Sequence, residues 1–218
     1  MPQLGVDVGL FTPQPQPELA RDLGITSEDF VVGFVGRFVP EKGLLTLVQA
    51  LLTILNQPWK LLLLGRGELQ PELIKTATEN NIQERVIFVE SVPHNQVANY
   101  INIMSTLVLP SETSYNFKTL TAAGWKEQFG HVLIEAMACK VPVIGSDSGE
   151  IPHVIGDAGL VFTEGNITAL ANCLVELITK PNIAVSLGEK GYQKVMEKYT
   201  NQALAQQQFD FYQQLMSK

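Results

Sequence analysis

The chain has 218 residues, 45% of them apolar, with 15 basic and 22 acidic side chains and a formal net charge of −7. That size allows one well-buried core, in one domain or at most two small ones. The acidic balance excludes a general attraction for nucleic acid or anionic lipid, so any anionic ligand must be held by a local cluster of donors.

A Pro-rich lead (FTPQPQPE) closes a linker-like segment, residues 1–29. From residue 30 to about 200, short β-rich runs alternate with longer helical patterns. The runs are FVVGFVG (30–36), WKLLLLG (59–65), RVIFVE (85–90), TLVLPS (106–111), VPVIGS (141–146) and AGLVF (158–162). Most are continuously apolar, as in strands of a parallel sheet buried on both faces. Helical patterns lie at 43–56, 70–80, 94–104 and 130–139, with a short turn near 150–155. Three more follow the last strand, at 167–179, 182–198 and 201–216. This alternation predicts an α/β fold: a Rossmann-like open parallel sheet of six strands, with right-handed crossovers and helices on both faces. No segment approaches the roughly 20 apolar residues that span a bilayer, and MPQLGVDVGLFTP has no basic start; a cytoplasmic protein is expected. Cys139 and Cys173 lack metal-ligand spacing and fall in apolar helical patterns, as buried thiols of a reducing compartment do.

Glycine and small polar residues gather after the strands: Gly36-Arg37, Gly65-Arg66-Gly67, Ser91-Val92-Pro93, Ser111 and SDSGE (146–150). This is the carboxyl edge, where open α/β sheets bind ligands. In GRFVPEKG (36–43), Gly36 permits close backbone approach, Arg37 offers a planar fork of donors and Lys42 a compact charge before a helix. Together they suit a diphosphate. An equally good account is a surface Arg and Lys pairing with acids such as Glu41. In EQFGHVLIEA (127–136), a helix starting near Phe129-Gly130 leaves the amides of Gly130, His131 and Val132 free for a phosphate. Glu127 lies just outside that helix and Glu135 more than a turn inside, each able to accept two hydroxyl protons from a diol. Helix capping explains either acid alone. A nucleoside diphosphate joined to a sugar fits all of them.

These segments, with LLLLGRGE, VIFVESVPHNQV, LVLPS and the block from Glu127 to Phe162, resemble the C-terminal, donor-binding domain of GT-B-fold glycosyltransferases of family 4 (glycosyl transferase group 1). The similarity runs from about residue 3 to the end, and its specific element is the pair of glutamates eight positions apart. The resemblance implies that Arg37 and Lys42 bind the diphosphate and stabilise the leaving charge. It implies that Glu127 holds the donor sugar, that Gly36 and the amides of Phe129, Gly130, His131 and Val132 contact the donor, and that Glu135 holds the ribose. The backbone near Val92 would touch the base. Transfer with retention and no metal or other cofactor is implied; the chain has no Asp-x-Asp.

By the same resemblance QLGVDVGLF corresponds to a linker from an N-terminal acceptor domain with no counterpart here. The chain alone is then expected to bind a nucleotide sugar weakly and transfer poorly. The last helix, 201–218, would present Ala203, Leu204, Phe209, Phe211, Tyr212 and Leu215 to that separate domain or to a second copy. Glu90 and Lys140 stand where the family commonly has glycine. His94 and His153 read as capping or surface residues, and His131 as a donor of its backbone N–H. Tyr115, Phe117 and Trp125 lie in a long segment, 111–127, expected to be a lid or to contact the acceptor. The alternative function is a non-catalytic nucleotide-sugar binding module. The motifs argue against a nucleotide-sugar epimerase, and a glycosidase has no use for Arg37 and Lys42 beside its acids.

Overall fold

The computed structural model describes residues 5–116 and 124–216. Its centre is a six-stranded, wholly parallel sheet: β1 (Phe30–Arg37), β2 (Trp59–Arg66), β3 (Val86–Val89), β4 (Thr106–Leu109), β5 (Val143–Ser146) and β6 (Leu160–Phe162), in the order β3-β2-β1-β4-β5-β6. The connecting helices are α2 (Leu44–Leu52), α3 (Gln70–Glu79), α4 (His94–Ile101), α5 (His131–Ala138) and α6 (Ile151–Ile155). Three more, α7 (Ile167–Thr179), α8 (Pro181–Lys198) and α9 (Asn201–Met216), follow β6. The expected Rossmann-like architecture is present.

Burial tracks sheet position. β1 and β2 pair in full register, from Phe30 opposite Trp59 to Arg37 opposite Arg66, and their apolar residues lie almost wholly inside. β4 and β5 are buried at every residue. β3 and β6 are equally apolar in sequence but form the two edges, so all of VIFV is half-buried and Val161 is exposed. The helices cover the faces through apolar stripes; α2 buries six of its nine residues. α7 has a side-chain cap: Asn166 accepts a hydrogen bond from the Ala169 amide at 2.9 Å.

The lead-in segment differs from the linker expected. Val6 and Phe11 are buried, and the Val6 amide donates to the Tyr199 carbonyl at 2.8 Å, so residues 6–11 dock on the domain. It also contains a six-residue helix, α1 (Pro17–Asp22). Pro17 starts it, Glu18 and Arg21 suit its two ends, and none of its residues is buried. With no apolar stripe, it carries no periodic signal in sequence.

Cys139 is buried beneath α5, and burial pushes its thiol up to about 12. Cys173 is only half-buried, less than expected, though burial raises its thiol too. α9 has no buried residue; Phe209, Phe211, Tyr212 and Leu215 are exposed, as is Met216. Among the described residues, no helix is long and apolar enough to cross a membrane.

Candidate functional site

The strand order reverses between β1 and β4, and open α/β sheets bind ligands beyond the carboxyl ends of the strands at such a switch point. The chain leaves β1 at Arg37, makes a 3-10 turn at Pro40–Lys42, and enters α2 through Gly43. Gly43 has φ +66°, and a Cβ there would lie 1.9 Å from the Pro110 carbonyl oxygen, so only glycine lets this loop lie flush against the end of β4. Two further ties join the strand ends. The Glu112 amide donates to the Glu41 carbonyl at 2.9 Å, and Thr46 Oγ1 donates to Glu112 Oε1 at 2.5 Å.

This folding carries Lys42 to Glu127. Lys42 Nζ stands 2.5 Å from Glu127 Oε2, although 85 positions separate them. Ser111 Oγ donates to the same oxygen at 2.8 Å, and Ser146 Oγ donates to the Ser111 carbonyl at 2.5 Å. Lys42 Nζ also lies 5.2 Å from the centre of the Trp125 ring, a cation–π contact. Behind Glu127, the SDSGE loop closes tightly. The Glu150 amide donates to the Glu127 carbonyl at 3.1 Å, and Gly149, at φ +58°, faces that same carbonyl.

Gly130 is the N-cap of α5, and the amides of His131 and Val132 have no carbonyl a turn earlier in the helix to bond. Phe129 packs edge-on against Tyr199, with ring centres 5.8 Å apart. Glu135 is only 6% exposed. Its Oε1 is 3.1 Å from His131 Nδ1 and 3.9 Å from His94 Nε2. The other His131 nitrogen, Nε2, is 3.1 Å from the Gly5 carbonyl. The bond to Glu135 raises the His131 pKa above its ordinary 6.5, against burial, which lowers it; charge attraction to Glu135 and the bond to Gly5 add to the rise.

The structure therefore joins Lys42 to Glu127, and Glu135 to His131. Arg37 follows the plainer account: its side chain is 70% exposed, and Nη2 lies 3.8 Å from Glu41 Oε1. Lys42 does not follow it, because its partner is Glu127. Gly36 is the last residue but one of β1, next to Arg37, and Val92 is half-buried against the core just before α4. His131 does more than its backbone suggested, since its ring makes two polar contacts. Ser111 and Trp125 stand at the places their positions in the sequence suggested, after β4 and in the long segment, but their partners, Glu127 for the serine and Lys42 for the indole, are new. The described flanks of the segment 111–127, residues 111–116 and 124–127, are joined by paired backbone bonds between Ser114 and Trp125, and Thr113 donates to Glu164. Tyr115 is exposed, and Phe117 lies outside the described residues. Glu90 and His153 are on the surface. Lys140 takes φ +59°, which explains why glycine suits that position, and its Nζ pairs with Glu189 at 2.7 Å.

The family model for glycosyl transferases group 1 matches residues 15–194. N-acetyl-alpha-D-glucosaminyl L-malate synthase of Bacillus anthracis is 28% identical over 205 residues, which cover 93% of this chain and 50% of that enzyme. The chain spans about half the length of the curated relatives it matches. Sucrose-phosphate synthase from Thermosynechococcus elongatus superposes with a TM-score of 0.80 at 30% identity, over 98% of this chain and 52% of the other. The Anabaena protein HepE, solved in complex with UDP and glucose, gives a TM-score of 0.81 at 23% identity, over 96% and 55%.

Proposed function

Since the chain belongs to the glycosyl transferases group 1 family, we propose that it is the donor-binding half of a GT-B glycosyltransferase. In this reading it holds a nucleotide-diphosphate sugar in the crevice between β1 and β4, for transfer with retention to an acceptor. One observation carries this reading: Lys42 and Glu127 meet at 2.5 Å at the switch point of the sheet. A diphosphate entering there offers Lys42 a more highly charged partner and frees the Glu127 carboxylate, still held by Ser111, for the hydroxyls of the sugar. Arg37, exposed at the rim, closes on the phosphates as a fork of donors. The amides at the start of α5, from Phe129 to Val132, and the backbone at Gly36 line the phosphate path. Glu135 accepts the ribose hydroxyls, and the base lies toward Val92.

Transfer breaks the bond between the sugar's anomeric carbon and the diphosphate, and the negative charge stays on the departing phosphate oxygen. Lys42 and Arg37 stabilise that charge, the service a metal ion performs elsewhere. A companion domain, docked over the exposed face of α9, supplies the acceptor and excludes water.

Titration with UDP, GDP and ADP and their sugars, with and without EDTA, tests the reading. One nucleotide binds preferentially, and EDTA leaves its affinity unchanged. Glu135→Ala and Arg37→Ala each weaken it on the order of a hundredfold, the loss of charge-assisted hydrogen bonds worth about 1.5–3 kcal/mol each. Wild-type affinity in both variants contradicts the assignment.

A further inference from the structure

Both ring nitrogens of His131 face acceptors: Glu135 Oε1 at 3.1 Å and the Gly5 carbonyl oxygen at 3.1 Å. A carboxylate and a peptide carbonyl have no proton to give, so each nitrogen must donate, and only the imidazolium has two N–H groups. The Gly5 carbonyl is held in place. Val6 bonds to the Tyr199 carbonyl and bridges to Thr200, and a Cβ on Gly5 would lie 2.8 Å from the Asn201 amide nitrogen. His131 thus connects an acid inside α5 to the point where the lead-in segment crosses the α8–α9 junction.

We propose that His131 is a positioning residue for nucleotide binding: as an imidazolium it fixes the Glu135 carboxylate against the docked lead-in segment, so that affinity for the nucleotide depends on its proton. The inference rests on Glu135 as the ribose-binding acid. With Oε1 held by His131, Oε2 remains for the diol, and the imidazolium offsets the repulsion between this carboxylate and the diphosphate. Once the ring loses a proton, a nitrogen lone pair faces one of the two acceptors and the arrangement breaks.

Among the described residues, three titratable groups lie near the ring. Glu135 comes from its own helix, His94 from the start of α4 beyond Glu135, and Tyr199 from the end of α8 across Phe129. The lead-in segment offers Gly5's uncharged carbonyl. In the unliganded fold the bond to Glu135 already raises the ring's pKa. For binding, the free and bound folded states are compared: the negative diphosphate and the engaged Glu135 carboxylate raise the ring's pKa further in the complex. Affinity is therefore full while pH lies below the unliganded folded value and falls as pH rises from there through the bound value.

UDP binding measured by calorimetry from about pH 6 to about pH 9 on the wild type, His131→Gln, His131→Ala and Glu135→Ala tests this. The ratio of wild-type to His131→Gln affinity cancels the ionisation of UDP itself. It is expected to fall about tenfold across that range, the effect of a coupling of about one pKa unit, with His131→Ala following His131→Gln. Nitrogen-15 NMR of the wild type is expected to show both His131 nitrogens protonated at the acid end. A flat ratio, or a neutral His131 ring there, overturns the inference even while UDP binds and Glu135→Ala weakens that binding. If instead UDP fails to bind at every pH, or Glu135→Ala binds it as the wild type does, the assignment of the site falls first and this inference with it.

Discussion

Gly149→Ala is expected to destabilise the folded chain by about 3 kcal/mol or more and to weaken sugar-nucleotide binding with it. The residue sits at φ +58°, and an added Cβ would lie 2.0 Å from the Glu127 carbonyl oxygen and 2.9 Å from its carbon. Backbone cannot yield as a side-chain tip does, so the loop holding Glu127 must shift, and its carboxylate shifts relative to Lys42 and Ser111. Gly165→Ala is the control. That residue has φ +70° with nothing within 4 Å of the added atom, so it carries the conformational penalty alone, about 1–2 kcal/mol. Urea denaturation of both variants separates the two contributions. Equal losses would show that the close contact behind Glu127 contributes nothing.

Lys42→Ala is expected to cost about 3 kcal/mol, because it leaves the Glu127 carboxylate buried with Ser111 as its remaining side-chain donor among the described residues. The side chains of the pair are only 16% and 10% exposed, so water cannot replace the lost ammonium easily. Removing both charges, as Lys42→Met with Glu127→Gln, is expected to return stability to within about 1 kcal/mol of the wild type, since neither charge is then left unpaired. Binding behaves differently. The double variant stays unable to hold the nucleotide sugar, because the diphosphate has lost Lys42 and the sugar its acceptor. Recovery of stability without recovery of affinity assigns the pair to ligand binding; a double variant as unstable as Lys42→Ala makes it a structural ion pair.

What could be read in the sequence follows from locality. β1, β2, β4 and β5 announced themselves as continuous apolar runs because both their faces are covered. β3 and β6 share that pattern, and only the strand order shows that they are edges. The glutamate pair and GRFVPEKG were visible as motifs, yet the partner of Lys42 was not. Glu41 is its neighbour in sequence, but the 3-10 turn and Gly43 direct Lys42 across the crevice to Glu127. The roles of Ser111 and Trp125 and the second contact of the His131 ring depend on partners 16, 83 and 126 positions away respectively, which no local pattern encodes, whereas the bond from His131 to Glu135 spans four positions of one helix. The docking of the lead-in segment was hidden for the same reason: Val6 meets Tyr199 only after the whole sheet has formed.

A nucleoside diphosphate seated at the switch point shifts the amide resonances around it, and a UDP titration followed by NMR reads those shifts residue by residue. The largest changes are predicted at Gly36, Lys42, Gly130, His131, Val132 and Glu135. Changes centred instead on the groove at the opposite end of the strands, lined by Pro15, Pro17, Asp29 and Asn102, with the crevice signals unmoved, would contradict that seating.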